Sequence, residues 1–349
     1  MTRTKTKKMG VLTGGGDVPG LNAAIRAVAR RSFEKGFEVL GVRDGYKGLI
    51  EGDLKKLTMS SVSGILHIGG TVLGTSRTNP LKREEDLRRC LDVVKTHNLE
   101  ALVTIGGDDT LGVAYELFKR GVGVVGVPKT MDNDVAETDY CIGFDSAVSI
   151  VADALDKLHT TASAHHRAIV VEVMGRYAGW VAVVGGLAGG ADFITIPEKP
   201  CTIDEICKHL NRRREGGKRF SIIVVAEGAK FPEVVEEGEE KEGRDEFGHV
   251  RLDRRGIGAT IAKEIERRSG VEARTVVLGH LQRGGSPTLF DRVLATRLGV
   301  AAVDLIGEGK FGYMVAYKGN RVVPVELKKV AGKTRFVDLE LYRLAQVFY

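Results

Sequence analysis

The stretch MGVLTGGGDVPGLNAAIRAVARRSFEKG, residues 9–36, reads as strand, glycine loop and helix, and that reading decides the fold. Met9–Leu12 is a short apolar strand, and Thr13–Gly20 is a loop opening on Thr13-Gly14-Gly15-Gly16-Asp17. Leu21–Lys35 has the spacing of a helix that stops at Gly36, and Phe37–Val42 supplies the next strand. Further apolar runs lie at Ala101–Ile105, Val122–Val127, Ala168–Val173, Phe193–Ile196, Ser221–Ala226 and Thr275–Leu278. Helical stretches separate most of them, at Glu84–Thr96, Leu111–Lys119, Ala147–Thr160, Ile203–Glu215 and Ile257–Arg268. Strands alternating with helices predict an α/β chain with parallel sheets covered on both faces.

Length and composition agree with this. At 349 residues and 43% hydrophobic content, the chain suits one large α/β domain or two lobes. Glycine is the outlier at 45 residues, nearly twice the roughly 7% of average usage. Its grouping in GGG, GG and GxxG clusters marks tight backbone approaches, suited to wrapping N–H groups around anions. The net charge of +6 is spread along the chain, densest at Arg3–Lys8 and Arg212–Arg219. With only 6% aromatic residues there is no base-stacking platform, and a phosphate-rich small substrate explains the charge better than nucleic acid. The four cysteines lack CxxC spacing and predict free thiols in a reducing compartment. No apolar leader or run of 18 apolar residues is present, so the reading is cytoplasmic, with no membrane partner. Glu233–Asp245 is strongly acidic and reads as a solvated loop or insertion.

Six polar segments each follow a strand: TGGGD, GGDD, PKTMDND, MGR, EGA and GHLQRGG. Ligands bind beyond the carboxyl ends of parallel strands, so these segments carry the chemistry. Thr13–Asp17 is neither a P-loop nor a dinucleotide fingerprint; it serves as a phosphate site or as a structural turn. In Gly106-Gly107-Asp108-Asp109-Thr110, adjacent carboxylates need a compensating cation, and Asp108 is placed to hold Mg²⁺. Asp109 or Thr110 would alternatively cap the helix from Leu111.

Pro128–Asp134 packs a cation, a hydroxyl and two carboxylates into one loop. Phosphoryl transfer needs a positioned base, a metal and positive charge along the transferred group. Asp132 suits the base, Lys129 the neutralising cation, and Asp134 the orientation of metal or base. Arg167, Met174-Gly175-Arg176, Glu227, Arg274 and His280–Gly285 form a third group, basic or sugar-facing.

In this order the motifs resemble the phosphofructokinase family from about Gly10 to Asp304. They include VLTGGGDVPGLNAAIR, DGYKGL, GGTVLGTSR, GGDDT, PKTMDND, GFDSA, HHRAIVVEVMGRYAGW, AEGA and LGHLQRGGSP. The resemblance implies a two-lobed phosphofructokinase fold of parallel-sheet sandwiches with the active site in the interlobe cleft. Lobe one would hold about 9–142 plus 282–332, and lobe two about 143–281 plus 333–349. It implies Asp132 as proton acceptor for the 1-hydroxyl of fructose 6-phosphate. Thr130, Met174, Gly175, Arg176, Glu227, His280 and Arg283 would contact the sugar phosphate. Arg167 and Arg274 would reach a neighbouring subunit's site, making a homodimer or homotetramer with shared active sites. Gly15, Gly16, Arg77 and Asp108 would address the phosphoryl donor and its Mg²⁺, with Arg176 and Arg77 steadying the transferred group.

Two departures bear on the donor. ATP-using members of the family usually show GGDG and PGTxDND, whereas this chain has Asp109 and Lys129, the pair typical of pyrophosphate-dependent members. A carboxylate at Asp109 would meet the α-phosphate of ATP; two unit charges about 4 Å apart repel by roughly 4 kcal/mol at an effective dielectric near 20. Lys129 adds charge suited to the oxygens of pyrophosphate. Arg26 and Arg30 match positions used in allosteric control, but Met59 and His159 stand where further effector arginines are expected, predicting loss of tight nucleotide regulation.

Overall fold

The computed structural model describes residues 7–234, 246–249, 252 and 255–349. Most of the acidic run at Glu233–Asp245 and most of the basic N-terminal stretch therefore lie outside the described residues. The chain divides into two units, one of Met1–Ser146 with Arg283–Thr334, the other of Ala147–Gln282 with Arg335–Tyr349.

The first unit opens with β1 (Lys8–Thr13), α1 (Leu21–Glu34), β2 (Glu38–Val42), α2 (Tyr46–Glu51) and β3 (Leu54–Lys56). It continues with α3 (Glu84–Thr96), β4 (Leu99–Gly106), α4 (Asp108–Lys119) and β5 (Val124–Pro128). Helix α5 (Phe144–His165) leads into the second unit: β6 (Ala168–Val173), α6 (Trp180–Ala188), β7 (Phe193–Thr195), α7 (Ile203–Glu215), β8 (Ser221–Ala226), α8 (Ile257–Ser269) and β9 (Ala273–Val277). The chain then returns to the first unit for α9 (Leu289–Gly307), β10 (Tyr313–Lys318) and β11 (Arg321–Glu326), and ends in the second with α10 (Leu339–Gln346).

The first unit holds a seven-stranded sheet of order β11-β10-β5-β4-β1-β2-β3. Its centre is parallel, as the alternation of strand and helix requires, but both edges turn antiparallel, β2 with β3 and β10 with β11. The parallel sheet expected from the alternation thus carries an antiparallel strand at each edge. The β10–β11 connection is the two-residue turn Gly319-Asn320, with φ of 53° and 63°. Positive φ at both positions is the backbone twist that joins adjacent antiparallel strands most tightly. The second unit's sheet, β7-β8-β6-β9, is parallel throughout. Its central strands β6 and β8 are buried at every residue, which explains their largely apolar character; the exception in β6, Glu172, accepts from Gly258 N–H at 2.8 Å.

Two contacts brace the first unit. Helix α9 lies close on α1 because Gly299 carries no side chain: a Cβ there would stand 2.8 Å from that of Ala27. At the start of α5, the buried carboxyl of Asp291 accepts from the backbone N–H groups of Gly143 and Ser146, each at 2.8 Å. The Ser146 hydroxyl donates to it as well, at 2.6 Å. Burial nevertheless pushes the Asp291 carboxyl up to about 6, because these donors offset only part of the desolvation.

Candidate active site

Register builds the site in the first unit. Thr13 pairs with Ile105, and Gly106 with Pro128, so the segments leaving β1, β4 and β5 start side by side at the carboxyl edge. Gly14 N–H donates to the Ile105 carbonyl at 2.9 Å, and Lys129 N–H to that of Gly106 at 3.0 Å. Thr110 wedges between the two glycine loops. A Cβ on Gly14 would lie 2.6 Å from the Thr110 Oγ1, and one on Gly106 2.3 Å from its Cβ. The enclosed Tyr46 phenol fixes the wedge by donating to the Thr110 carbonyl at 2.8 Å. Gly14 and Gly106 are thus spacers for Thr110, while Gly15 and Gly16 face cations.

Those cations are Lys129 and Arg283. Lys129, only 3% exposed, donates from Nζ to the Gly16 carbonyl at 2.6 Å. Burial, followed by the nearby Arg283 charge, lowers its pKa to about 8, against the opposing pull of Asp17 and Asp134. Arg283 donates from Nη1 to the Asp17 carbonyl at 3.1 Å. Its guanidinium thus lies against the Gly16–Asp17 loop. Exposed Arg77 follows Ser76, whose carbonyl accepts from Gly15 N–H at 3.1 Å.

Asp108 and Asp109 stand in the first turn of α4, not in the loop before a helix starting at Leu111. The helix amino end offsets part of the repulsion between them. The residue at the cap position is Gly107, with no side-chain cap, so neither Asp109 nor Thr110 plays the capping part.

In the β5 loop, Asp132 N–H donates to Thr130 Oγ1 at 3.1 Å. Asn133 sits at φ 52° and ties the loop down. Its Nδ2 donates to the Asp139 carbonyl at 3.1 Å, and its Oδ1 accepts from Cys141 N–H at 2.9 Å. Asp134 is pushed up to about 7, first by burial and then by the charges of Asp132 and Asp108. These three carboxylates therefore share one electrostatic environment. The sequence reading gave no part to Asn133 or Tyr46; the Asn between two Asp residues was the available signal for the first, since an Asn tolerates left-handed backbone and bonds it locally.

In the second unit the register does the same. Val173 pairs with Ala226, and Glu172 with Val277, aligning the MGR, EGA and GHLQ segments. Met174 N–H donates to the Gln282 Oε1 at 3.3 Å, and Glu227 N–H to the Val173 carbonyl at 2.8 Å. A Cβ on Gly228 would lie 2.0 Å from the Arg176 carbonyl, so the MGR and EGA loops touch through backbone. Gly175, at φ 138°, makes the sharp turn this needs. Met174, Gly175, Arg176, Glu227 and exposed His280 are thereby gathered at one edge of the sheet.

Arg167 and Arg274 are not gathered there. Arg167 precedes β6 and Arg274 is the second residue of β9, at the amino ends of the strands. Seven residues of extended chain from Arg167 to Met174 span about 20 Å. Both arginines pair with Glu272, at 3.2 and 2.6 Å. His159, at a position where an effector arginine is expected, donates from Nε2 to the Gly189 carbonyl at 2.8 Å and packs edge-on against Phe220.

All four cysteines are free and buried. No described helix is long and apolar enough to cross a membrane. Among the described residues no three or more His, Cys, Asp or Glu side chains cluster as a metal cage.

A profile of the phosphofructokinase family matches residues 8–306, and the chain belongs to that family. The pyrophosphate--fructose 6-phosphate 1-phosphotransferase of Amycolatopsis mediterranei (strain S699) is 53% identical over 344 residues, covering 98% of this chain and 99% of its own. The ATP-dependent 6-phosphofructokinase 3 of Streptomyces coelicolor is 48% identical over 340 residues, covering 97% and 99%. Among solved structures, phosphofructokinase from Saccharomyces cerevisiae superposes with a TM-score of 0.79 at 32% identity, over 97% of this chain. This chain spans just under half, 46%, of that yeast chain.

Proposed function

We propose that this protein transfers a phosphoryl group from pyrophosphate to the 1-hydroxyl of D-fructose 6-phosphate, reversibly, giving fructose 1,6-bisphosphate and phosphate. Asp132 takes the hydroxyl proton as the sugar oxygen bonds to phosphorus and the bridging P–O bond breaks, releasing phosphate. Lys129, Arg176 and Arg77 neutralise the transferred group, and Gly15 and Gly16 let the donor approach the backbone. Thr130, Met174, Gly175, Arg176, Glu227, His280 and Arg283 take the sugar phosphate.

The observation that carries the donor assignment is the buried Lys129, held at the β1 loop, with Asp109 in the first turn of α4. The Amycolatopsis relative's name supports it. The Streptomyces relative favours ATP as the alternative donor. Turnover of the purified protein with each donor tests the assignment: robust activity with pyrophosphate is expected, and activity with ATP alone would overturn it.

The acidic corner fits Mg²⁺. Burial and two neighbouring carboxylates hold Asp134 in a partly uncompensated state that a divalent cation relieves. Asp108 would ligate it, with no protein cage needed, since Mg²⁺ usually takes one or two carboxylates and keeps water and phosphate oxygens. When bound, the ion neutralises charge on the donor phosphates. The amino-end position of Arg167 and Arg274 supports their service to a neighbouring subunit's site in a homodimer or homotetramer. The four buried free thiols fit a cytosolic enzyme.

Lys129 also sets a pH limit. Its cation is present below its lowered pKa and lost as pH rises through about 8, so kcat/KM for pyrophosphate should fall there. A guanidinium keeps its charge past about pH 10, so Lys129→Arg should remove this alkaline limb. An alkaline limb identical in both proteins would show that Lys129 is not the titrating group.

A further inference from the structure

We propose that the hollow between α7 and α10 in the second unit is a separate anion site, which takes a small phosphorylated sugar and, when filled, fastens α10 and Tyr349 to the edge strand β7. None of its lining residues belongs to the phosphoryl-transfer site, and the inference stands whichever donor that site uses.

The charge of the lining is the first support. The hollow encloses about 260 Å³. Lys208 and Arg212 line it from α7, one helical turn apart, and Lys199 lines it from the segment before that helix. Among the described residues none of these three joins an ion pair, whereas the adjacent Arg213 pairs with Asp192 at 2.6 Å. The one carboxylate of the lining, Glu205, is engaged at the α7 cap, where it accepts from Thr202 N–H at 2.9 Å. Burial, and then the charges of Arg213 and Arg212, lower the pKa of His209 to about 4. The ring is therefore neutral in a positive field that a bound anion would relieve.

The wall of the hollow calls for more than a bare anion. Phe193 and Tyr349 stack with ring centroids 5.1 Å apart, and the His209 ring lies 5.3 Å from that of Phe193. Inorganic phosphate would leave this wall uncovered, whereas the C–H face of a sugar covers it. His209, only 3% exposed, keeps a buried Nε2 without a hydrogen-bond partner, a need that a sugar hydroxyl answers. The space falls a little below the roughly 300 Å³ at which drug-sized pockets begin, which suits a single phosphorylated ring.

The same residues hold the sheet edge. β7 is the outermost strand of its sheet, and Ile194 is its middle residue. The Tyr349 hydroxyl accepts from Ile194 N–H at 2.9 Å, and the Tyr342 hydroxyl donates to the Ile194 carbonyl at 3.1 Å. The two tyrosines thus satisfy edge groups that would otherwise await a further strand. A ligand reaching from Lys208 and Arg212 to the aromatic wall ties both tyrosines to α7 as well.

The test titrates the full-length protein with ribose 5-phosphate, inorganic phosphate and ribose, followed by calorimetry and by hydrogen exchange at Phe193–Thr195 and Leu339–Gln346. Ribose 5-phosphate at millimolar concentration should slow exchange in both segments by about fivefold or more. Inorganic phosphate should bind about tenfold more weakly, and ribose should leave exchange unchanged. The double change Lys208→Gln with Arg212→Gln alters two exposed side chains of α7. It should weaken ribose 5-phosphate roughly ten- to hundredfold and remove the protection, with the KM for fructose 6-phosphate within about threefold. Because exchange is read at these two segments, sugar phosphate held by the catalytic residues is not scored. Absence of protection by ribose 5-phosphate, or protection that persists in the double variant, would overturn the site. Inorganic phosphate binding as tightly as ribose 5-phosphate would overturn the sugar assignment.

Discussion

Replacing Asp132 by Ser is expected to lower kcat by three to four orders of magnitude, on the order of what a positioned general base contributes. The KM for fructose 6-phosphate should stay within about threefold, because a base acts on the proton in flight and adds little to ground-state binding. The neighbourhood explains why the loss should be so selective. The loop is held by Asn133 through Asp139 and Cys141, and Asp132 N–H is held by Thr130 Oγ1. None of these bonds uses the Asp132 carboxylate, so the backbone should keep its course in the variant. Rapid-quench measurement of the transfer step, beside sugar binding by calorimetry, separates the two effects. A variant that loses sugar affinity as severely as rate would mean that Asp132 positions substrate and is not the base.

The double change Asp109→Gly with Lys129→Gly should shift the ratio of kcat/KM for ATP over pyrophosphate by about a thousandfold. That follows from removing roughly 4 kcal/mol of repulsion toward a third phosphate, at 1.36 kcal/mol per tenfold. The two residues come from different strands, yet the register of β4 and β5 sets their loops together: Gly106 pairs with Pro128. Asp109→Gly alone should admit ATP without abolishing pyrophosphate use. Lys129→Gly alone should chiefly damage pyrophosphate turnover, since it empties the position that bonds Gly16. Donor ratios unchanged in all three variants would show that another part of the site selects the donor.

Much of this was legible in the sequence, and the exceptions have physical causes. The central strands were readable because buried parallel strands are largely apolar runs between glycine loops; β6 and β8 have the expected bounds. Each of the six polar segments does follow a strand, because register brings their carboxyl ends into line. Helix α9 was missed: its buried residues, among them Leu294, Ala295, Leu298, Gly299, Ala302, Val303 and Ile306, lie on one side, but apolar Leu289 and Val293 stand exposed on the other and blur the stripe that betrays a helix. The β10–β11 hairpin was missed although Gly319-Asn320 is a two-residue turn signal, because its strands mix apolar and charged residues at an exposed edge. In the site, residue types announced the chemistry, but not the partners. That Gly14 makes room for Thr110 while Gly16 makes room for Arg283 depends on contacts between segments far apart in the chain.

The division of the chain has a consequence for how the protein is made. The second unit's whole sheet lies in one continuous segment, Ala147–Gln282, with Arg335–Tyr349 added at the end, whereas the first unit's sheet must wait for strands from Arg283–Thr334. On the ribosome, α1 is without its Gly299 partner, and Lys129 without Arg283, until the later segment emerges tens of seconds afterwards at typical synthesis speeds. The nascent first sheet meanwhile exposes the edge of β5 that β10 will cover. The second unit's sheet should therefore consolidate before the first unit's, although it is encoded later.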